Sequence, residues 1–169
     1  MRWLSYFILA YLALGAQVAV RPFVSVGEAV PNFLLVVVVF LAMNAPREPA
    51  LLGCFFLGLM QDLLTLQALG TWATSYTLVA MLVLSLQEVV YGEHPLTHFS
   101  LVLAGGILCG VVLVLHGVLY PLLHKLPRQS LGLRPFGDAL YSALLAPIIL
   151  GVLQRMKGVF SFRRIRKAK

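Results

Sequence analysis

Gly58-Leu59-Met60-Gln61-Asp62-Leu63-Leu64 sets one carboxylate near the end of a long apolar run, and Leu69-Gly70 follows it closely. A charged side chain in a hydrocarbon-facing segment is expensive, so Asp62 requires a structural partner, a watery cleft or a function. The rest of the chain has the character of membrane. Hydrophobic residues make up 60% of the 169 and charged residues only 11%, and the mean hydropathy is strongly positive. That is too apolar for one soluble core of this size, so the composition reads as an all-α integral membrane protein.

At roughly 20 residues per helical span, the chain has room for five or six spans and no separate soluble domain. Six apolar runs are discernible, over residues 3–20, 30–43, 50–66, 71–90, 96–123 and 138–156. The first begins after Arg2 in the manner of a signal peptide. However, Ala16-Gln17-Val18-Ala19 lacks a convincing small-x-small cleavage pattern and Arg21-Pro22 follows directly, so the run reads as a retained span. The second is bracketed by Pro31 and Pro46. Its length of about 22 Å falls short of the hydrocarbon thickness, which makes it either a short span or a helix buried by its neighbours. Pro95 suits the first turn of the fifth helix, and Gly137-Asp138 suits an N-cap for the sixth. The expected organisation is one bundle of six transmembrane helices over residues 1–157 and a basic cytoplasmic tail over residues 158–169.

The formal charge of +7 does not describe a nucleic-acid-binding face. Seven of the thirteen basic residues lie in the last fifteen positions. With both termini in the cytoplasm, nine Lys and Arg fall inside and four outside, the four being Arg21, Lys125, Arg128 and Arg134. The positive-inside rule favours that orientation, although the basic loop from Lys125 to Arg134 pulls the other way. In the tail, Arg163, Arg164, Arg166 and Lys167 alternate with apolar residues beside a span. They are expected to lie on anionic lipid of the inner leaflet, at roughly 1 kcal/mol per basic residue. Trp3, Tyr6, Trp72, Tyr91 and Tyr120 fall close to predicted span ends, where amphipathic rings favour the interface.

Few polar groups interrupt the spans. Asp62 falls in the outer half of the third run, one turn past Gly58 on the same face. It is either a charged anchor in an outward-opening cleft or a carboxylate paired with Arg21, Lys125, Arg128 or Arg134. His116, Tyr120 and His124 recur every four residues and form either a ligand or proton stripe or a polar seam between helices. Gly106 and Gly110 make a GxxxG element, continued by Gly117, that allows close approach of a helix from this chain or from another protein. Pro147 leaves the Ala143 carbonyl without its usual donor, so a kink or a second partner is expected there, with Ser142 close enough to help. Cys54 and Cys109 lie mid-run without metal-ligand spacing and read as small packing residues. No phosphate-binding glycine loop, HExxH, nucleophile elbow or paired carboxylates occur, so neither catalytic residues nor cofactor or metal ligands are assigned.

An ordered series of short motifs resembles the rod shape-determining MreD family of bacteria. It comprises Pro31-Asn32-Phe33, Asn44-Ala45-Pro46-Arg47, Gly58-Leu59 through Asp62-Leu63-Leu64, Leu69-Gly70, and Ala139-Leu140-Tyr141-Ser142-Ala143-Leu144-Leu145-Ala146-Pro147. Asn32 stands where the family often has an acid, and Ser142 where it often has Asn. The resemblance implies a multi-pass protein of the bacterial inner (cytoplasmic) membrane that binds MreC. It also implies a place in the cell-elongation machinery, where RodA and its penicillin-binding partner build side-wall peptidoglycan beside MreB filaments. It further implies six helices around an outward-opening cleft, similar to the substrate-binding subunits of energy-coupling-factor transporters. Pro31, Asn32, Gly58, Asp62, Gly70, Gly106, Gly110 and Pro147 are the candidate partner-binding or structural positions, with Asp62 as an anchor for outer helix ends or a docked partner. Two other readings stand beside this one. One is a small-molecule-binding transporter subunit with Asp62 and His116 in its pocket, and the other a lipid-modifying enzyme using the same two residues.

Overall fold

The computed structural model describes residues 3–24, 30–65, 69–86, 95–124 and 134–155, with side chains described except at 3–5, 20–24, 95, 120–124 and 134–135. Among the described residues there are six α-helices: α1 (Trp3–Val24), α2 (Phe33–Asn44), α3 (Arg47–Thr65), α4 (Thr71–Leu86), α5 (Pro95–His124) and α6 (Arg134–Arg155). The stretches Leu96–Leu119 of α5 and Phe136–Arg155 of α6 are long and apolar enough to cross a membrane, while Tyr6–Ala19, Phe33–Asn44 and Thr71–Leu86 are shorter apolar helices. The basic tail, with Arg163, Arg164, Arg166 and Lys167, lies outside the described residues.

The centre of the fold is the shortest helix. α2 has no polar face, and a helix apolar on every side is stable only when surrounded. It packs against each of the other five helices, which follow one another around it in the order α1, α3, α4, α5, α6. Residues 34–42 are all buried, none more than 4% exposed. Twelve residues rise only about 18 Å, well short of a bilayer's hydrocarbon core. Of the two alternatives for this run, burial by neighbours describes what is seen.

Close approaches depend on small residues. A Cβ on Gly58 would lie 2.4 Å from Ala73 Cα and 2.5 Å from the Trp72 carbonyl oxygen, so α3 and α4 touch backbone to backbone. A Cβ on Gly106 would lie 2.6 Å from Ala139 Cβ, which places the first glycine of the GxxxG element against α6 of the same chain. Gly110 is buried and Gly117 half-buried. Cys54 and Cys109 are buried free thiols.

Several boundaries differ from the sequence reading. α1 continues through Pro22 to Val24, carried on by the apolar Phe23-Val24. α2 starts only at Phe33, because Pro31 stays outside the helix and Asn32 takes an extended conformation as its N-cap. α6 begins at Arg134, so Gly137-Asp138 lies inside the helix rather than at its cap. Pro135 in the first turn favours that earlier start. The helix also runs unbroken through Pro147 to Arg155.

Gly58→Val should separate α3 from α4 and lower stability by about 3 kcal/mol, near the upper end of overpacking costs. Gly15→Ala, where a Cβ meets nothing within 4 Å, should be neutral or slightly stabilising. Thermal unfolding of the two variants in detergent distinguishes them, and equal effects would contradict the contact.

Candidate functional site

The polar residues of the bundle converge where α2, α4 and α6 begin. Helix starts carry amide groups without intrahelical acceptors, and in apolar surroundings those donors must be satisfied by other parts of the protein.

For α4 the acceptor comes from another helix. Gly70 occupies the N-cap position, where its φ of +99° suits glycine and where a side-chain oxygen would normally receive the N–H of the second or third helical residue. Glycine has none, and Asp62 of α3 stands in for it. Asp62 Oδ1 accepts the Trp72 amide at 2.8 Å, and Oδ2 accepts the amides of Gly70 at 2.9 Å and Ala73 at 3.2 Å. The carboxylate is only 1% exposed and lies at the positive end of the α4 dipole. Gly58, one turn earlier on α3, lets the α4 backbone come close enough for these bonds. The basic residues considered as partners, Arg21, Lys125, Arg128 and Arg134, lie outside the described side chains. The described partners of Asp62 are backbone amides.

The start of α2 is held by its own cap and by three other helices. Asn32 Oδ1 accepts the Leu35 amide at 3.0 Å, as an N-cap does, and also the hydroxyl of Tyr76 from α4 at 3.0 Å. Gln17 of α1 accepts the Phe33 amide at 2.8 Å through Oε1 and donates to the Pro31 carbonyl at 3.2 Å through Nε2. From α6, Ser142 Oγ accepts the Asn32 amide at 2.7 Å and Asp138 Oδ1 accepts the Val30 amide at 2.7 Å. Ser142 donates in turn to the Asp138 carbonyl at 2.6 Å, so it serves the α2 start and not the carbonyl freed by Pro147. The Trp72 and Tyr76 rings, with centroids 5.5 Å apart, connect the α4 cap to this cluster.

Pro31, Asn32, Gly58, Asp62 and Gly70 therefore gather at one end, with Ser142 and the unforeseen Gln17, Tyr76 and Asp138. Pro147 lies farther along α6, and Gly106 and Gly110 serve the α5 face. His116 is half-buried, whereas the side chains of Tyr120 and His124 lie outside the described set. Toward the other end, buried His98 of α5 meets Gln154 of α6 at 2.9 Å between Nε2 atoms, a contact the sequence reading did not anticipate. No group of three or more His, Cys, Asp or Glu placed to hold a metal occurs among the described residues.

The profile of the rod shape-determining protein MreD matches residues 1–156. The chain belongs to the MreD family. Membership makes it a membrane protein of rod-shape determination rather than an enzyme and associates it with the rod-shape machinery. No curated protein and no solved structure matches it. In MreD terms, the motif pieces around Asn32, Asp62 and Ser142 contain three of the side chains that hold the starts of α2 and α4.

Asp62→Ala removes the acceptor of one buried and two partly buried amides and should cost about 3 kcal/mol, since each stranded donor carries a penalty of about 1–3 kcal/mol. Asp62→Asn keeps one acceptor oxygen but turns an NH2 toward a donor, so its loss should fall between wild type and Ala. Detergent unfolding of the three proteins checks the order. An Asp62→Ala protein as stable as wild type would remove the cap from the account.

Proposed function

We propose that this MreD-family chain is a non-catalytic scaffold that binds the membrane span and adjacent segment of MreC, and so helps position side-wall peptidoglycan synthesis by RodA and its penicillin-binding partner. The family match over residues 1–156 carries the reading. The geometry supports it, because Asp62, the carboxylate that suggested chemistry, binds backbone amides and fixes the start of α4. A transporter subunit using Asp62 in its pocket is not favoured, since both carboxylate oxygens are taken up by amides.

The proposed setting is the bacterial inner membrane, with six spans, an arrangement like that of energy-coupling-factor substrate-binding subunits and both termini cytoplasmic. The α2-start end then faces outward. Residues 158–169 form the basic tail against anionic inner-leaflet lipid, and Gly106, Gly110 and Pro147 shape helix faces available for internal or partner packing.

MreC should co-purify with the chain from detergent, and Asp62→Ala should lower the recovered complex. Failure to capture MreC, even with crosslinking cysteines placed along α3 to α6, would sink the scaffold reading. A fluorescent protein fused after Lys169 should fluoresce and alkaline phosphatase at the same point should be inactive. The reverse pattern would overturn the orientation while leaving the MreC reading intact.

A further inference from the structure

The outer helices of this bundle differ in how much hydrocarbon they can meet. Leu96–Leu119 of α5 has 24 residues and Phe136–Arg155 of α6 has 20, so they rise about 36 and 30 Å and cover a whole hydrocarbon core. α4 has 16 residues and rises only about 24 Å. α3 has 19, but Arg47 and Glu48 at its start are exposed charges, which leaves about 25 Å of apolar helix. Gln67 and Gln87-Glu88 bound the two helices in the sequence. The α3–α4 flank is therefore shorter than the α5–α6 flank.

The two short helices cannot slide apart to gain height. Gly58 brings α3 into backbone contact with α4, and Asp62 holds the amides of Gly70, Trp72 and Ala73, so the pair is fixed in register. Their outward surface suits lipid. Phe55, Phe56, Met60, Leu63, Leu78 and Met81 are exposed. The hydroxyls of Thr65, Thr74, Thr77 and Ser85 donate to carbonyls at or beside the turn preceding them in the same chain, at 2.7–2.9 Å. They need no acceptor from a neighbour.

A segment shorter than the hydrocarbon core is accommodated by long flanking side chains that reach the surface, by association, or by thinning of the bilayer. No Lys or Arg occurs between Arg47 and Lys125, so no basic side chain extends the outer tip of the pair. The satisfied hydroxyls leave association no polar contact to gain there. We infer that the α3–α4 flank thins the bilayer beside it, and that its partner on this face is phospholipid with shortened or disordered chains. This rests on α3 and α4 being membrane spans. The α5–α6 flank meets lipid of full thickness, so the protein acts as a wedge with a different bilayer height on each side.

The test is spin-label accessibility on the full chain in vesicles of dimyristoleoyl, dioleoyl and dierucoyl phosphatidylglycerol, in order of increasing thickness. Labels are placed at Leu69→Cys and Leu86→Cys, at the two ends of the pair, and at Leu78→Cys between them; all three leucines are exposed, whereas the native Cys54 and Cys109 are buried. A water-soluble nickel complex should reach both end labels several-fold more often than the Leu78 label. That difference should persist as the lipid chains lengthen, because the bilayer adapts to the flank. Progressive loss of access at either end in the thicker vesicles, with Leu78 shielded throughout, overturns the thinning and leaves the spans intact. Access at Leu78 equal to that at the ends overturns the spans themselves. Leu64→Cys and Ser85→Cys give the same reading if an end variant does not fold.

Discussion

Every other feature of this bundle depends on supplying acceptors to backbone amides that begin helices away from water. α2 rises only about 18 Å, so it cannot present both its ends to the two faces of a bilayer. Its start therefore lies among other helices. Unpaired amides there would each cost on the order of a few kcal/mol, and only side chains from neighbouring elements can relieve them. Gln17, Asn32, Asp138 and Ser142 do so for α2, and Asp62 does so for α4. The same bonds that satisfy the amides also determine where α1, α3, α4 and α6 stand relative to the central helix.

Close packing and capping work together. Gly58 and Asp62 are one turn apart on α3: the first removes the side chain that would keep α4 away, and the second meets the amides that its approach delivers. On the other flank, Gly106 receives Ala139, one residue after the Asp138 that accepts the Val30 amide. Each small residue thus neighbours a polar side chain that exploits the short separation. A helix bundle built this way draws its cohesion from backbone contacts and hydrogen bonds, as expected where lipid removes most of the hydrophobic drive between helices.

Hydropathy was enough to locate all six helices, because long apolar runs separated by Pro, Gly and charge leave little choice. The central burial of α2 was legible as one of two alternatives, since a run too short to span must be short or surrounded. Asp62 drew attention because an intramembrane carboxylate is rare. Its partners are hidden in the sequence, because backbone amides leave no mark in the residue letters, whereas arginines and lysines do. Asp138 looked like a cap for its own helix because a Gly-Asp pair has that local signature, but a start four residues earlier freed its carboxylate for α2, which lies more than a hundred positions away in the chain. Gln17 is the one strongly polar residue inside the first run, and that isolation is the mark its role leaves in the sequence. Tyr76 resembles an ordinary core aromatic, and nothing local distinguishes one whose hydroxyl donates to the capping side chain of a distant helix.

The Asp62 cap also bears on how the protein is made. The carboxylate leaves the ribosome before the amides it binds, which arrive over the following eight to eleven residues. At about 5–20 residues per second that interval is roughly a second. During it, α3 carries an ionised group with no place in hydrocarbon. Once the first turn of α4 is complete, the charge is covered by three amide dipoles and the two helices form a hairpin whose polar centre is internal. α3 and α4 should therefore enter the bilayer as a pair, with α4 acting as an intramolecular chaperone for the helix before it.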